Sequence, residues 1–329
     1  MPIQATMSGI ESESYDESAD RLRVLLKQQE TTYSCIDYFS GPQQSGDLNK
    51  EEELSMFRSP SALSVVEECA KLVTDISLVD HSGRARLQPP VDPQLIPWRF
   101  QMCNWAYSVT GRLGYSHAIV ATTFNLVDRY IAKIAAGSKV QVTMSSFDFQ
   151  LICMSAFYIA AKTNEKSESI VSLEMMVEMS RGIFSVQNLE EAEQELLEVL
   201  EWRISPPTAY SFLGELFELW EEKYQKQVPE QWLSRSYRIV EMTVGDVFFL
   251  KHLLSQQALA AMLVAGSESG ESSRDLHDFC EEIRWICDID DENFLAVYDE
   301  LYSSPKDEGT SSIIWAGAKK KNLKNKKKH

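Results

Sequence analysis

The chain is poor in glycine and proline, with 14 and 11 among 329 residues. Both residues interrupt helices, so their scarcity suits a helical protein. No stretch alternates apolar and polar residues for long enough to suggest a sheet. The six cysteines (Cys35, Cys69, Cys103, Cys153, Cys280, Cys287) contain no CxxC pair. That excludes the usual zinc spacing and suggests no disulfide framework. Cys103 and Cys153 lie among apolar residues and read as small core fillers. No apolar run reaches the ~18 residues of a membrane-spanning helix, so no membrane contact is expected. The N-terminus has no basic region followed by an apolar run, and no secretory signal is expected. These features read as an intracellular soluble protein with reduced thiols.

Catalytic motifs are missing too. None of the five histidines (His81, His117, His252, His277, His329) has a partner at metal-ligand spacing. HExxH, a glycine-rich phosphate loop and GxSxG are absent. Paired carboxylates such as Glu190–Glu191 and Asp290–Asp291 occur on acidic helices, where solvated faces and N-terminal charges are their ordinary role. The expectation is a scaffold that binds, with no cofactor and no chemistry of its own.

Positive charge is scarce: 32 basic against 49 acidic side chains, a net charge of −17. Such a body repels phosphates, so nucleic acid is not expected as a partner. The exception is the last eleven residues, "KKKNLKNKKKH", with seven lysines and no acid. This reads as a disordered solvated tail and also as an import signal or polyanion contact. A protein of both nucleus and cytoplasm is expected.

What the chain does have is a series of amphipathic helical patterns. Residues 1–60 are polar and acidic and read as mostly disordered, with a short helix in "ADRLRVLLKQQ". Residues 61–76 carry apolar residues at helical spacing and should dock on the helices C-terminal to them. "LQPPVDPQLIP" then breaks the pattern. In "PWRFQMCNWAYSVT", Trp98, Met102, Trp105 and Val109 are spaced four, three and four apart. "SHAIVATTFNLVDRYIAKI" starts on a capping-type Ser116. "SSFDFQLICMSAFYIAAK" is apolar on every face and must be buried all round. "SLEMMVEMSRGIF" and "NLEEAEQELLEVLEW" complete a first set of five. After "RISPPTAY" come five more: "SFLGELFELWEEKY", "EQWLSRSYRIVEMTVGDVFFL", "SQQALAAMLVAG", "RDLHDFCEEIRWIC" and "DENFLAVYDELY". The third of each set is the least charged. The reading is an all-α protein of two tandem five-helix domains, at 61–205 and 206–302, with an acidic N-terminal segment and a Lys-rich tail at 303–329.

Two residues are out of character with their surroundings. Asp128 lies among Phe124, Leu126 and Val127, and a carboxylate there needs a cation, for which Arg99 is the obvious candidate. Lys162 closes the most apolar helix. A lysine at a helix C-terminus is accounted for by the macrodipole alone.

Taken in order, "WRFQMCNW", "TFNLVDRY", "FQLICMSAFYIAAK", "EEAEQELLEVLEWRI" and "SPPTAYSF" resemble the cyclin family, strongly over residues 98–212 and in architecture alone to about 302. In cyclins a first-helix arginine pairs with a second-helix aspartate, and Arg99 and Asp128 match. A leucine opens the third helix and a lysine closes it, and Leu151 and Lys162 match. A glutamate opens the fifth helix, and Glu193 matches. The resemblance implies that Lys162 and Glu193 contact the backbone of a cyclin-dependent protein kinase beside its regulatory helix. The chain would then be a regulatory subunit in cell-cycle control, holding that helix inward.

Many cyclins recruit protein substrates through an MRAIL patch followed by a tryptophan. Here that stretch reads Trp98-Arg99-Phe100-Gln101-Met102 with Trp105 downstream, and Gln150 agrees with a third-helix glutamine of the pattern. Trp98 and Gln101 depart from it, which puts a preference for arginine–leucine motifs in doubt. The alternatives to a kinase activator are a cyclin-fold adaptor or transcription-associated scaffold, and an all-α enzyme with an unseen site.

Overall fold

The computed structural model describes residues 7–35, 38–39, 91–138, 141–165 and 170–303. The expected helix at 61–76 and the Lys-rich tail lie outside these residues. Eleven α-helices run through the described chain: α1 (Met7–Lys27), α2 (Leu95–Leu113), α3 (Ala118–Gly137), α4 (Ser146–Asn164), α5 (Leu173–Met179), α6 (Val186–Val199), α7 (Ala209–Tyr224), α8 (Glu230–Gly245), α9 (Leu254–Glu268), α10 (Ser273–Ile286) and α11 (Asp291–Ser303). Among the described residues β-structure amounts to one isolated bridge, Val91 to Val142.

Local sequence explains the helix limits. The Ser145, Ser172, Ser185, Thr208 and Ser272 hydroxyls each accept an amide of the first turn. Ser185 and Asn188 form a reciprocal capping box. Ser116 sits one residue before the α3 cap and its hydroxyl accepts the Ala118 amide at 3.3 Å. Gly114, at φ +68°, ends α2 with its amide on the Thr110 carbonyl. The segment "EQWLSRSYRIVEMTVGDVFFL" reads as one helix but is two pieces. Asp246 is extended, its carboxylate accepts the Phe248 amide, and a 3₁₀ turn follows over Val247–Lys251.

Two hydrophobic cores form. One belongs to α2–α6 and the other to α7–α11. Each is built round its third helix. In α4, Ile152–Phe157 and Ile159–Ala161 are buried. In α9, every residue from Ser255 to Gly266 is buried. Helices with no polar face have nowhere else to go. Gly266 lets α8 and α10 close on α9, since a Cβ there would meet Leu276 at 2.9 Å and the Trp232 ring at 3.0 Å. The buried indole of Trp232 donates to the Met262 carbonyl at 2.7 Å.

The N-terminal segment departs most from expectation. Helix is expected only from Ala19 onward, yet α1 begins at Met7 and packs on α7. Ala19, Leu22 and Leu26 join the second core. Arg21 donates to Glu215 at 2.8 Å and also pairs with Glu218, while Ser18 donates to Glu222 at 3.1 Å. Its "RVLL" stretch is therefore helix, with Leu26 buried. Sequence periodicity missed the length of α1 because "ESESYDES" is almost uniformly polar.

The candidate kinase-binding surface and its neighbours

Arg99 and Asp128 meet as a buried fork. Arg99 Nε and Nη2 donate to the two Asp128 oxygens at 2.9 and 2.8 Å. Arg99 Nη1 donates to the Val244 carbonyl of α8 at 2.7 Å, and the Tyr38 hydroxyl donates to Asp128 at 2.6 Å. The guanidinium also stacks over Phe124, 5.1 Å from its centroid. One ion pair thus joins α2, α3, the second domain and the N-terminal segment. Burial pushes the Tyr38 hydroxyl well up, with the Asp128 charge adding to it. It therefore stays a proton donor at any physiological pH.

Lys162 and Glu193 are brought together across α4 and α6. The Lys162 ammonium contacts Glu193 Oε1 and lies 4.4 Å from the Tyr158 ring centroid. The lysine side chain is 37 % exposed and the glutamate 14 %. Leu151, Ser155, Tyr158 and Lys162 follow one stripe of α4, spaced four, three and four apart. Ser155 is buried and donates to the Leu189 carbonyl of α6 at 3.3 Å. That seam holds the two helices together and delivers Lys162 to Glu193 where the stripe surfaces. Neither Leu151 nor Glu193 opens its helix. Capping at Ser145 and Ser185 starts both helices earlier, so each residue lies within a turn already formed.

Sequence reasoning missed Trp202. It follows α6 directly, with Glu201 and Trp202 both left-handed at φ +54° and +59°. The indole is 69 % exposed. Lys133 and Arg203 both pair with Glu201 and hold the turn. A tryptophan beside a helical repeat reads as core, and the only signal against that was the "SPP" just after it.

The docking-patch residues divide. Met102 is buried and Trp98 packs on Phe149 with centroids 6.5 Å apart. Gln101 is exposed. Trp105 and Gln150 line a common groove of about 560 Å³. Among the described residues no group of three His, Cys, Asp or Glu could hold a metal ion, and no helix is long and apolar enough to cross a membrane.

An all-α chain with two five-helix cores, each threaded by an apolar third helix, defines a class of architecture. Comparison with known proteins places it further. Residues 87–205 match the family model described as "Cyclin, N-terminal domain". Cyclin-D3-2 of Arabidopsis thaliana is 24 % identical over 178 residues, 54 % of this chain and 46 % of that protein. G2/mitotic-specific cyclin-2 of Antirrhinum majus is 32 % identical over 126 residues, 38 % of this chain and 26 % of that protein. A viral cyclin from herpesvirus saimiri superposes with a TM-score of 0.49 at 15 % identity, covering 63 % of this chain and 86 % of that one. Residues 87–205 thus carry a cyclin N-terminal domain. The chain's match spans less than half the length of these two plant relatives.

Proposed function

We propose that this protein binds and activates a cyclin-dependent protein kinase, and that Lys162 and Glu193 are the centre of the contact. The observation that carries this is the pair itself. A lysine and a glutamate from different helices, both at positions that match the cyclin pattern, meet where a buried helix surfaces. The ammonium offers three donors and the carboxylate several acceptor sites, enough to engage the carbonyls and amides of a partner helix end. The two side chains hold each other in place beforehand, so less rotamer freedom remains to be lost on binding. Half-buried Leu151 and exposed Trp202 supply apolar area along the same two helices and their ends. In this reading the chain holds the regulatory helix of the kinase inward, completing the lysine–glutamate ion pair over ATP. Catalysis stays with the kinase, and protein substrates are brought to it.

The test is co-purification with cyclin-dependent kinases, reading out histone phosphorylation, for wild type and Lys162→Ala/Glu193→Ala. Wild type should bring down an active kinase. The double variant should bind at least ~30-fold more weakly, the equivalent of ~2 kcal/mol for central interface residues, with its circular dichroism unchanged. If folded wild type captures no kinase, the chain is an adaptor instead.

A further inference from the structure

The groove that holds Trp105 and Gln150 lies between α2, α4 and the turn that joins α5 to α6. Its floor is apolar: Trp105, Val109 and Met179. Ile183, 51 % exposed, stands at its edge. Its charged groups are Arg112, Arg181 and Glu178. Two observations set these arginines apart. First, among the described residues neither has a side-chain hydrogen bond, ion pair or ring contact. Most of the other described arginines pair with a carboxylate, as Arg21, Arg99, Arg203, Arg235 and Arg284 do. In a protein of net charge −17, two arginines without a carboxylate at one groove are unexpected. Second, Arg181 is held at φ +58°, followed by Gly182 at +72°. The turn closes by Arg181 and Gly182 amides on the Glu178 and Val177 carbonyls. A left-handed arginine is unfavourable for folding, and glycine would fit there without strain. The backbone thus gains nothing from an arginine at this position.

We propose that this groove docks an acidic peptide, with an apolar side chain on Trp105, Val109 and Met179 and flanking carboxylates on Arg112 and Arg181. Two arginines against one glutamate leave the mouth positive. Guanidinium forks match carboxylates in a planar, two-pronged geometry. Ser108, also in the groove, is neutral and adds no acid to attract a basic motif. The inference rests on the reading of this face as a docking patch. It does not depend on kinase binding, and it reverses the charge preference of arginine–leucine recruitment.

The experiment uses the full chain without any kinase, so the outcome is separate from that of the capture assay. Two fluorescein-labelled nonapeptides share a Leu-Phe centre and differ only in flanking residues, glutamates in one and arginines in the other. Fluorescence polarisation near ~0.1 M salt should show the glutamate peptide binding about tenfold more tightly. Arg112→Gln/Arg181→Gly should remove that preference without lowering the melting temperature, since Arg112 is exposed and glycine suits position 181. Arg112→Glu/Arg181→Glu should invert it. Equal or tighter binding of the arginine peptide would overturn the proposal and make Glu178 the determinant. So would the absence of binding by either peptide up to ~1 mM.

Discussion

At the scale of the residue, charge and thiol chemistry depend on burial. Lys162 and Glu193 form a pair at the surface, the lysine exposed and the glutamate partly buried, and surface pairs contribute only ~0–1 kcal/mol to stability. Their truncation should leave the fold intact, which is what makes the kinase-capture test readable. The cysteines behave oppositely. Burial raises the Cys103 and Cys287 thiols from the ordinary 9.0 to about 12 and Cys280 to about 11, and takes Cys153 well above its ordinary value. A raised thiol destabilises the folded state only where the unfolded thiol ionises, so stability is constant below the unfolded value and falls as pH climbs through 9 towards 12. Urea titrations should therefore show falling stability above about pH 9, by up to ~1.4 kcal/mol per pH unit for each such thiol. The buried tyrosines Tyr38 and Tyr130 act in the same direction at higher pH. At pH 8 a thiol reagent should reach half-buried Cys35 first among the described cysteines. Fast native-state labelling of Cys103 or Cys153 would contradict their burial in the first core.

At the scale of the element, period and capping account for most of the helices. Serines and threonines before apolar runs start helices, and Pro206-Pro207 divides the two sets. Helix α1 is the exception. Its first half has no apolar period, so its extent was not legible, and its contribution is made through Leu22, fully buried against α7 and its core. Leu22→Ala should cost ~2–5 kcal/mol in chemical denaturation, the range for a buried leucine. A change below ~0.5 kcal/mol would mean that α1 is detached from the second core in solution.

At the scale of the whole molecule, the Arg99–Asp128 fork is the joint. The sequence paired these two residues, but nothing local could say that Arg99 also reaches the Val244 carbonyl or that Tyr38 completes Asp128. His117 and Tyr107 meet Glu241 across the same seam, at 2.6 and 3.2 Å. Arg99→Ala leaves a buried carboxylate without its cation and should cost ~3–5 kcal/mol. The loss should appear in both domains, as a lower melting temperature for the whole chain. A variant in which only residues 91–205 lose hydrogen-exchange protection would show that the seam does not couple the domains.

The amino-acid sequence by itself determined the helical class, the two sets of five and their apolar axes, and the pairing of Arg99 with Asp128. These come from local rules: spacing along a helix, capping chemistry, and the cost of a charge among apolar neighbours. Lys162 and Glu193 were marked as a site by the resemblance to cyclins, not by local rules. Tertiary structure decided what the other charges meet. Lys162 becomes half of a pair because α4 and α6 pack along the Ser155–Leu189 seam. Trp202 becomes exposed because two left-handed residues turn the chain away from α6. Arg112 and Arg181, 69 positions apart in the sequence, come to one groove because α2 and the turn after α5 close on α4. Contacts at that separation depend on how helices cross, and periodicity within one helix carries no information about that.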